Sequence, residues 1–107
     1  MDLETALAGL CPGSAVVVDC LTLWCANLLL AGHDEPSICT RGERLVEALQ
    51  ALARPAWVVT NEVGLGVVPD NVLARRYRDA LGRLNQIVAG GSTTVTLLVA
   101  GLPLAVR

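Results

Sequence analysis

Residues 58–71, VVTNEVGLGVVPDN, leave an apolar β-branched run for a polar triplet, Thr60-Asn61-Glu62, cross Gly64 and Gly66, and restart after Pro69 at Asp70. A short apolar run that ends in polar and glycine residues and leads into a helical pattern is the form of a strand followed by a crossover helix. A turn alone needs neither the acid nor both glycines. The stretch is therefore a candidate site as well as a connection.

Working outward, Leu73, Tyr77, Leu81, Leu84 and Val88 form one stripe of a helix with Asp70 as its expected N-cap, and Gly90-Gly91 closes it. Arg75, Asp79 and Arg83 at four-residue spacing predict ion pairs on its outer face. Upstream, Thr40 and Glu43 read as a capping box, so a helix is expected from there, with Leu45, Val46, Leu49 and Leu52 inward and Pro55 as its stop. Residues 32–37 are then a loop. Before it, Leu21, Trp24, Cys25, Leu28 and Leu29 make a further helical stripe. Ahead of that helix, Ala15-Val16-Val17-Val18 reads as a strand buried on both faces and ending at Asp19. Residues 94–100 form the last strand, and residues 1–10 a short lead-in helix with Leu3, Leu7 and Leu10 on one side. Strand, helices, strand, helix, strand is the order of βαβ crossovers, which predicts a single α/β domain over 1–107 with a parallel sheet of three strands.

Composition narrows the function classes. The chain has 107 residues, 53% hydrophobic and 17% charged, with a net charge of −2. That suits one aliphatic core and argues against a nucleic-acid partner. All eight basic residues are arginine, so no lysine can serve a phosphate site. Cys11, Cys20, Cys25 and Cys39 contain no CxxC pair, and with one histidine they do not make a zinc site of ordinary spacing. They read as thiols in a reducing cytoplasm. The start is acidic rather than basic, and the apolar stretch over 21–31 falls short of the ~20 residues a membrane span needs.

In open parallel sheets ligands bind beyond the carboxyl ends of the strands, which puts Asp19 and Thr60-Asn61-Glu62 on one edge. An acid directly after a β-branched strand can hold Mg²⁺ through water in phosphate-transferring proteins, and it can equally cap the following helix. Gly64 and Gly66 can allow close backbone approach to a ligand or supply positive φ. His33, beside Asp34 and Glu35, reads as a surface residue, and Arg75, Arg76 and Arg78 as a solvated basic face. No GxxxxGK[ST] phosphate loop occurs in these residues.

The segments VVVDCLTLWCANLLLAGHD, VVTNEVGLGVVPDNVLARRYRDALGRLNQIVA and TLLVAGLPLAVR closely resemble the later part of the bifunctional adenosylcobinamide kinase/adenosylcobinamide-phosphate guanylyltransferase family. The resemblance runs over nearly the whole chain. It implies a parallel-sheet, P-loop NTPase-like fold and two reactions of adenosylcobalamin biosynthesis. These are phosphorylation of adenosylcobinamide by a nucleoside triphosphate and transfer of GMP from GTP, through a histidine intermediate, to give adenosylcobinamide-GDP. It further implies a guanine nucleotide or its Mg²⁺ at Asp19, with Asn61, Glu62, Gly64 and Gly66 lining the same cleft. Arg75, Arg76 and Asn85 match family positions without an assigned role.

Family sequences open with a phosphate-loop strand and continue through a nucleophilic histidine, and neither has a counterpart in these residues. The expectation is a truncated fold with no catalytic residue of its own. Such a chain is inactive alone and poorly soluble or oligomeric, because removal of a central strand exposes apolar edges. The alternatives are a non-catalytic nucleotide- or cobinamide-binding remnant and an unrelated α/β interaction domain.

Overall fold

The computed structural model describes residues 2–107. In chain order it holds α1 (Leu3–Ala8), β1 (Val16–Asp19), α2 (Leu21–Leu30), α3 (Glu35–Ala51), β2 (Ala56–Val59), α4 (Val72–Gly90), β3 (Thr96–Val99) and β4 (Leu102–Ala105). Met1, where the lead-in helix was expected to begin, lies outside the described residues.

The strands divide into two sheets. β1 and β2 are parallel, with Val16 opposite Ala56 and Asp19 opposite Val59. β3 and β4 are antiparallel, with Thr96 opposite Ala105 and Val99 opposite Leu102. This corrects the expected three-stranded parallel sheet, because the last strand folds back on residues beyond it instead of joining β2. The cause is local. Ala100 and Gly101 both adopt positive φ, 50° and 75°, the backbone of a two-residue turn whose twist matches paired strands. Pro103 sits within β4, where an edge strand tolerates its missing N–H.

β1 also departs from burial on both faces. Val16 and Val18 are buried, whereas Val17 is 63% exposed and Asp19 is exposed, so helices cover one face of the strand. Alternation along a strand places successive side chains on opposite faces, and here only one of them meets the core.

The core lies among the helices. Leu21, Trp24, Cys25 and Leu28 of α2 are buried as their spacing predicts, and they meet Ile38 and Leu45 of α3 and Ala80, Leu81, Leu84 and Val88 of α4. Leu73, expected in the α4 stripe, is half exposed instead, because it occupies the first turn beyond the reach of the other helices. Gly42 allows α3 and α4 to approach closely: a Cβ there would stand 2.6 Å from Leu84 Cδ1. Burial pushes the Cys25 thiol up to about 11, so it stays protonated as a small apolar group. Arg41 of α3 lies 5.9 Å from the Trp24 ring centroid and pairs with Asp2 at 3.3 Å, which ties α1 to the helical layer.

Two helix starts move. α3 begins at Glu35, not near Thr40, because the Asp34 carboxylate accepts from Ser37 N at 3.0 Å and Pro36 suits the first turn. Thr40 then lies inside the helix and donates its hydroxyl to the Pro36 carbonyl. α4 is capped by Asn71 rather than Asp70; the Asn71 side chain accepts from Leu73 N at 2.8 Å and Ala74 N at 3.2 Å. The predicted Arg75–Asp79 and Asp79–Arg83 pairs are replaced. Arg78 pairs with Asp79 at 2.9 Å, Arg83 reaches Glu35 of α3 at 3.5 Å, and Arg75 turns to the loop.

Candidate functional site

The parallel register brings the polar ends of β1 and β2 together. Asp19 stands opposite Val59, so Thr60, Asn61 and Glu62 continue from β2 beside the position where the chain turns from β1 into α2. Asp19 is exposed, and among the described residues no ion pair includes it. Nor does it cap the next helix. The N-cap of α2 is Cys20, without a side-chain capping bond, so the simple structural reason for an acid at this point falls away. The Asp19–Cys20 peptide bond is cis.

Beside Asp19 a groove of about 360 Å³ runs between α1, β1 and α2, lined by Leu7, Val17, Leu23, Trp24 and Asn27 among others. Its walls are mostly apolar, and Asp19, the last residue of β1, is the one charged residue that lines it. A bare phosphate would meet a like charge there. A hydrated Mg²⁺ fits a single exposed carboxylate that leaves its remaining positions to water and phosphate oxygens. An all-protein cage does not fit: among the described residues no three His, Cys, Asp or Glu side chains converge.

The loop after β2 is held by side chains at both ends. Thr60 Oγ1 donates to Asn85 Oδ1 at 2.6 Å, and Asn85 Nδ2 donates to the Asn61 carbonyl at 3.0 Å. Asn61 Nδ2 in turn donates to Thr22 Oγ1 of α2 at 3.0 Å. Tyr77 of α4 completes the brace by donating its hydroxyl to the Thr22 carbonyl at 3.4 Å; burial raises its pKa above the ordinary phenol value, which keeps it a donor. At the far end Arg75 Nη1 donates to the Pro69 carbonyl at 2.9 Å. Arg75 is thus a loop clamp, while Arg76 remains exposed.

Glu62 and the glycines have local roles. Glu62 Oε1 accepts from Gly64 N at 3.0 Å, folding the loop back on itself, and a Cβ at Gly64 would stand 3.1 Å from that oxygen. Neither Gly64 nor Gly66 has positive φ, and open space surrounds Gly66. The alternative of positive φ at these two positions is therefore corrected, and what crowds Gly64 is the Glu62 carboxylate. His33 Nδ1 lies 2.8 Å from Ser37 Oγ at the start of α3, in keeping with a structural histidine. Sequence reasoning gave Asn85 and Thr22 no part in the site. The cues to Asn85 are its match to a family position, which carries no role, and its residue type, since Asn is a poor choice for a helix interior.

With this geometry in place, the comparisons with known proteins give the lineage. A family model described as cobinamide kinase / cobinamide phosphate guanyltransferase matches residues 1–106. The bifunctional adenosylcobalamin biosynthesis protein CobP of Pseudomonas aeruginosa is 46% identical over 95 residues, which cover 89% of this chain and 54% of that protein. The bifunctional adenosylcobalamin biosynthesis protein CobU of Salmonella typhimurium is 36% identical over 112 residues, covering 94% of this chain and 62% of that protein. Its namesake in Escherichia coli is 33% identical over 116 residues, covering 97% and 64%. The chain therefore spans less than two thirds of the length of these relatives. The chain belongs to the cobinamide kinase / cobinamide phosphate guanyltransferase family.

Proposed function

We propose that this chain supplies the strand-edge part of the nucleotide site of an adenosylcobalamin-biosynthesis transferase. Such an enzyme phosphorylates adenosylcobinamide and transfers GMP from GTP to the product, giving adenosylcobinamide-GDP. The fold is then the later portion of a P-loop NTPase-like sheet, with GTP or ATP and adenosylcobinamide or its phosphate as small-molecule partners. The four free cysteines suit a cytoplasmic setting.

The observation that carries the reading is Asp19: an exposed acid at the carboxyl end of a parallel strand, beside Thr60-Asn61-Glu62, that caps nothing. Asp19 would hold the hydrated Mg²⁺ of the nucleotide, which neutralises phosphate charge when bound. Asn61 and Glu62 would face the same ligand from β2. Gly64 keeps the loop backbone close to Glu62, and Gly66 leaves the adjoining surface open.

The test is a titration with GTP in the presence and absence of Mg²⁺, followed by calorimetry and by Trp57 fluorescence. Wild type is expected to bind more tightly with Mg²⁺. Asp19→Asn should weaken the Mg²⁺-dependent part by roughly tenfold or more, about 1.4 kcal/mol per decade, with unfolding stability unchanged. Equal binding with and without Mg²⁺, or by both proteins, would remove Asp19 from the site.

Binding without turnover is the second reading. It is favoured by two properties of these 107 residues: they contain no lysine or GxxxxGK[ST] loop, and their one histidine is engaged with Ser37. Formation of labelled adenosylcobinamide phosphate or adenosylcobinamide-GDP by the same sample would rule it out.

A further inference from the structure

The amide of Asn85 bridges two groups that its neighbours on α4 do not touch. Its oxygen accepts the Thr60 hydroxyl at 2.6 Å and its nitrogen donates to the Asn61 carbonyl at 3.0 Å. The orientation follows from the partners, because a main-chain carbonyl only accepts; a flipped amide would set oxygen against oxygen. Leu84 and Val88, on either side in the helix, are buried in the core, so the backbone beneath Asn85 is fixed. Asn in a helix interior is unfavourable by propensity, and its side chain makes neither a helix cap nor a bond to its own helix here. It is spent on the end of β2. From there Asn61 passes the constraint to Thr22, on the helix that follows Asp19.

We infer that Asn85 is a positioning residue for the nucleotide-facing edge: by gripping both sides of the Thr60–Asn61 peptide it sets the β2 end in register with the α2 start. The inference rests on the nucleotide-site reading for its functional consequence, while the grip itself is independent of it. The role needs an acceptor and a donor on one short side chain. Aspartate keeps the bond from Thr60 and loses the one to Asn61. Glutamine has both groups, one methylene too far out. Alanine has neither.

The test uses the whole chain as wild type, Asn85→Ala, Asn85→Asp and Thr60→Val, with ¹⁵N relaxation on the free proteins and calorimetric titration with GTP and Mg²⁺. In wild type, residues 60–63 should have order parameters near the rigid value of ~0.85, falling below ~0.6 in Asn85→Ala and Asn85→Asp. Amides of α2 and α4 should stay rigid. Thr60→Val should loosen the same residues less, because Asn85 still holds the Asn61 carbonyl. GTP·Mg²⁺ affinity should fall about tenfold in both Asn85 variants. Unchanged order at residues 60–63 overturns the inference. So does loosening spread through α2 and α4, which would make Asn85 a general stability residue, and so does full GTP affinity in a variant whose loop has loosened. If wild type itself binds no GTP·Mg²⁺, the nucleotide reading fails, and the relaxation data alone still decide whether Asn85 positions the loop.

Discussion

The helical side and the strand side of this molecule are built to different standards of closure. On the helical side Leu21, Ile38, Leu45, Leu81 and Leu84 are fully buried, and Gly42 admits a contact between α3 and α4 with no room for a Cβ. On the strand side Val17 and Trp57 are about three-fifths exposed, and every residue of β3 and β4 is exposed. A two-stranded hairpin is marginal in water without a layer to pack on. The difference teaches where the stability resides. The helices and one face of β1 hold the fold, and the remaining strand surface contributes little beyond its own ladders.

Four substitutions can break or sharpen that contrast. The largest effect is expected in the core, where Leu84→Ala removes a fully buried side chain and should lower unfolding free energy by about 2–5 kcal/mol in urea denaturation. A loss near zero would mean that the helical layer is loosely packed and the contrast false. Next come the helix caps. Asn71→Ala should cost about 1 kcal/mol, against less than about 0.5 kcal/mol for Asp70→Ala, since only Asn71 accepts backbone N–H groups of α4. Equal costs would return the cap to Asp70. The smallest change is expected on the hairpin, where Leu98→Thr exchanges a 67% exposed side chain for a β-branched polar one. Stability should move by no more than about 0.5 kcal/mol, and light scattering should record less association at high concentration. A destabilisation comparable to that of Leu84→Ala would show that the hairpin is packed against a layer in solution.

How far the sequence could be read depended on whether a decision was local. The stripes of α2 and α4 were legible because 3.6-residue spacing of Leu, Trp and Val leaves one buried face, and Leu21, Trp24, Leu81 and Leu84 are where that spacing puts them. The start of α3 was misread because two capping signals compete within ten residues, and Asp34 followed by Pro36 outcompetes Thr40 with Glu43. The third strand was misassigned for a related reason. Strand propensity over 94–100 says nothing about which edge it joins, and the turn at Ala100-Gly101 decides that. The placement of Asp19, Asn61 and Glu62 at the ends of strands was readable from the apolar runs before them. The role of Asn85 was not, because a helix residue that grips a distant loop is identified by a tertiary contact to a residue 24 positions away.

The pairing of Val16 with Ala56 joins positions forty apart, whereas Val99 meets Leu102 across two residues. Closing a long loop costs chain entropy before the contact returns anything, so pairs of this kind form late, and a tight hairpin closes in about 1–10 μs by itself. The strand ends that bear Asp19 and Asn61 should therefore meet late in folding. During synthesis, the edge proposed to face nucleotide cannot exist until Val59 has left the ribosome. Until then Val16–Val18 is an unpaired β-branched segment, and the interval before β2 arrives is when a chaperone or a stray strand would find it.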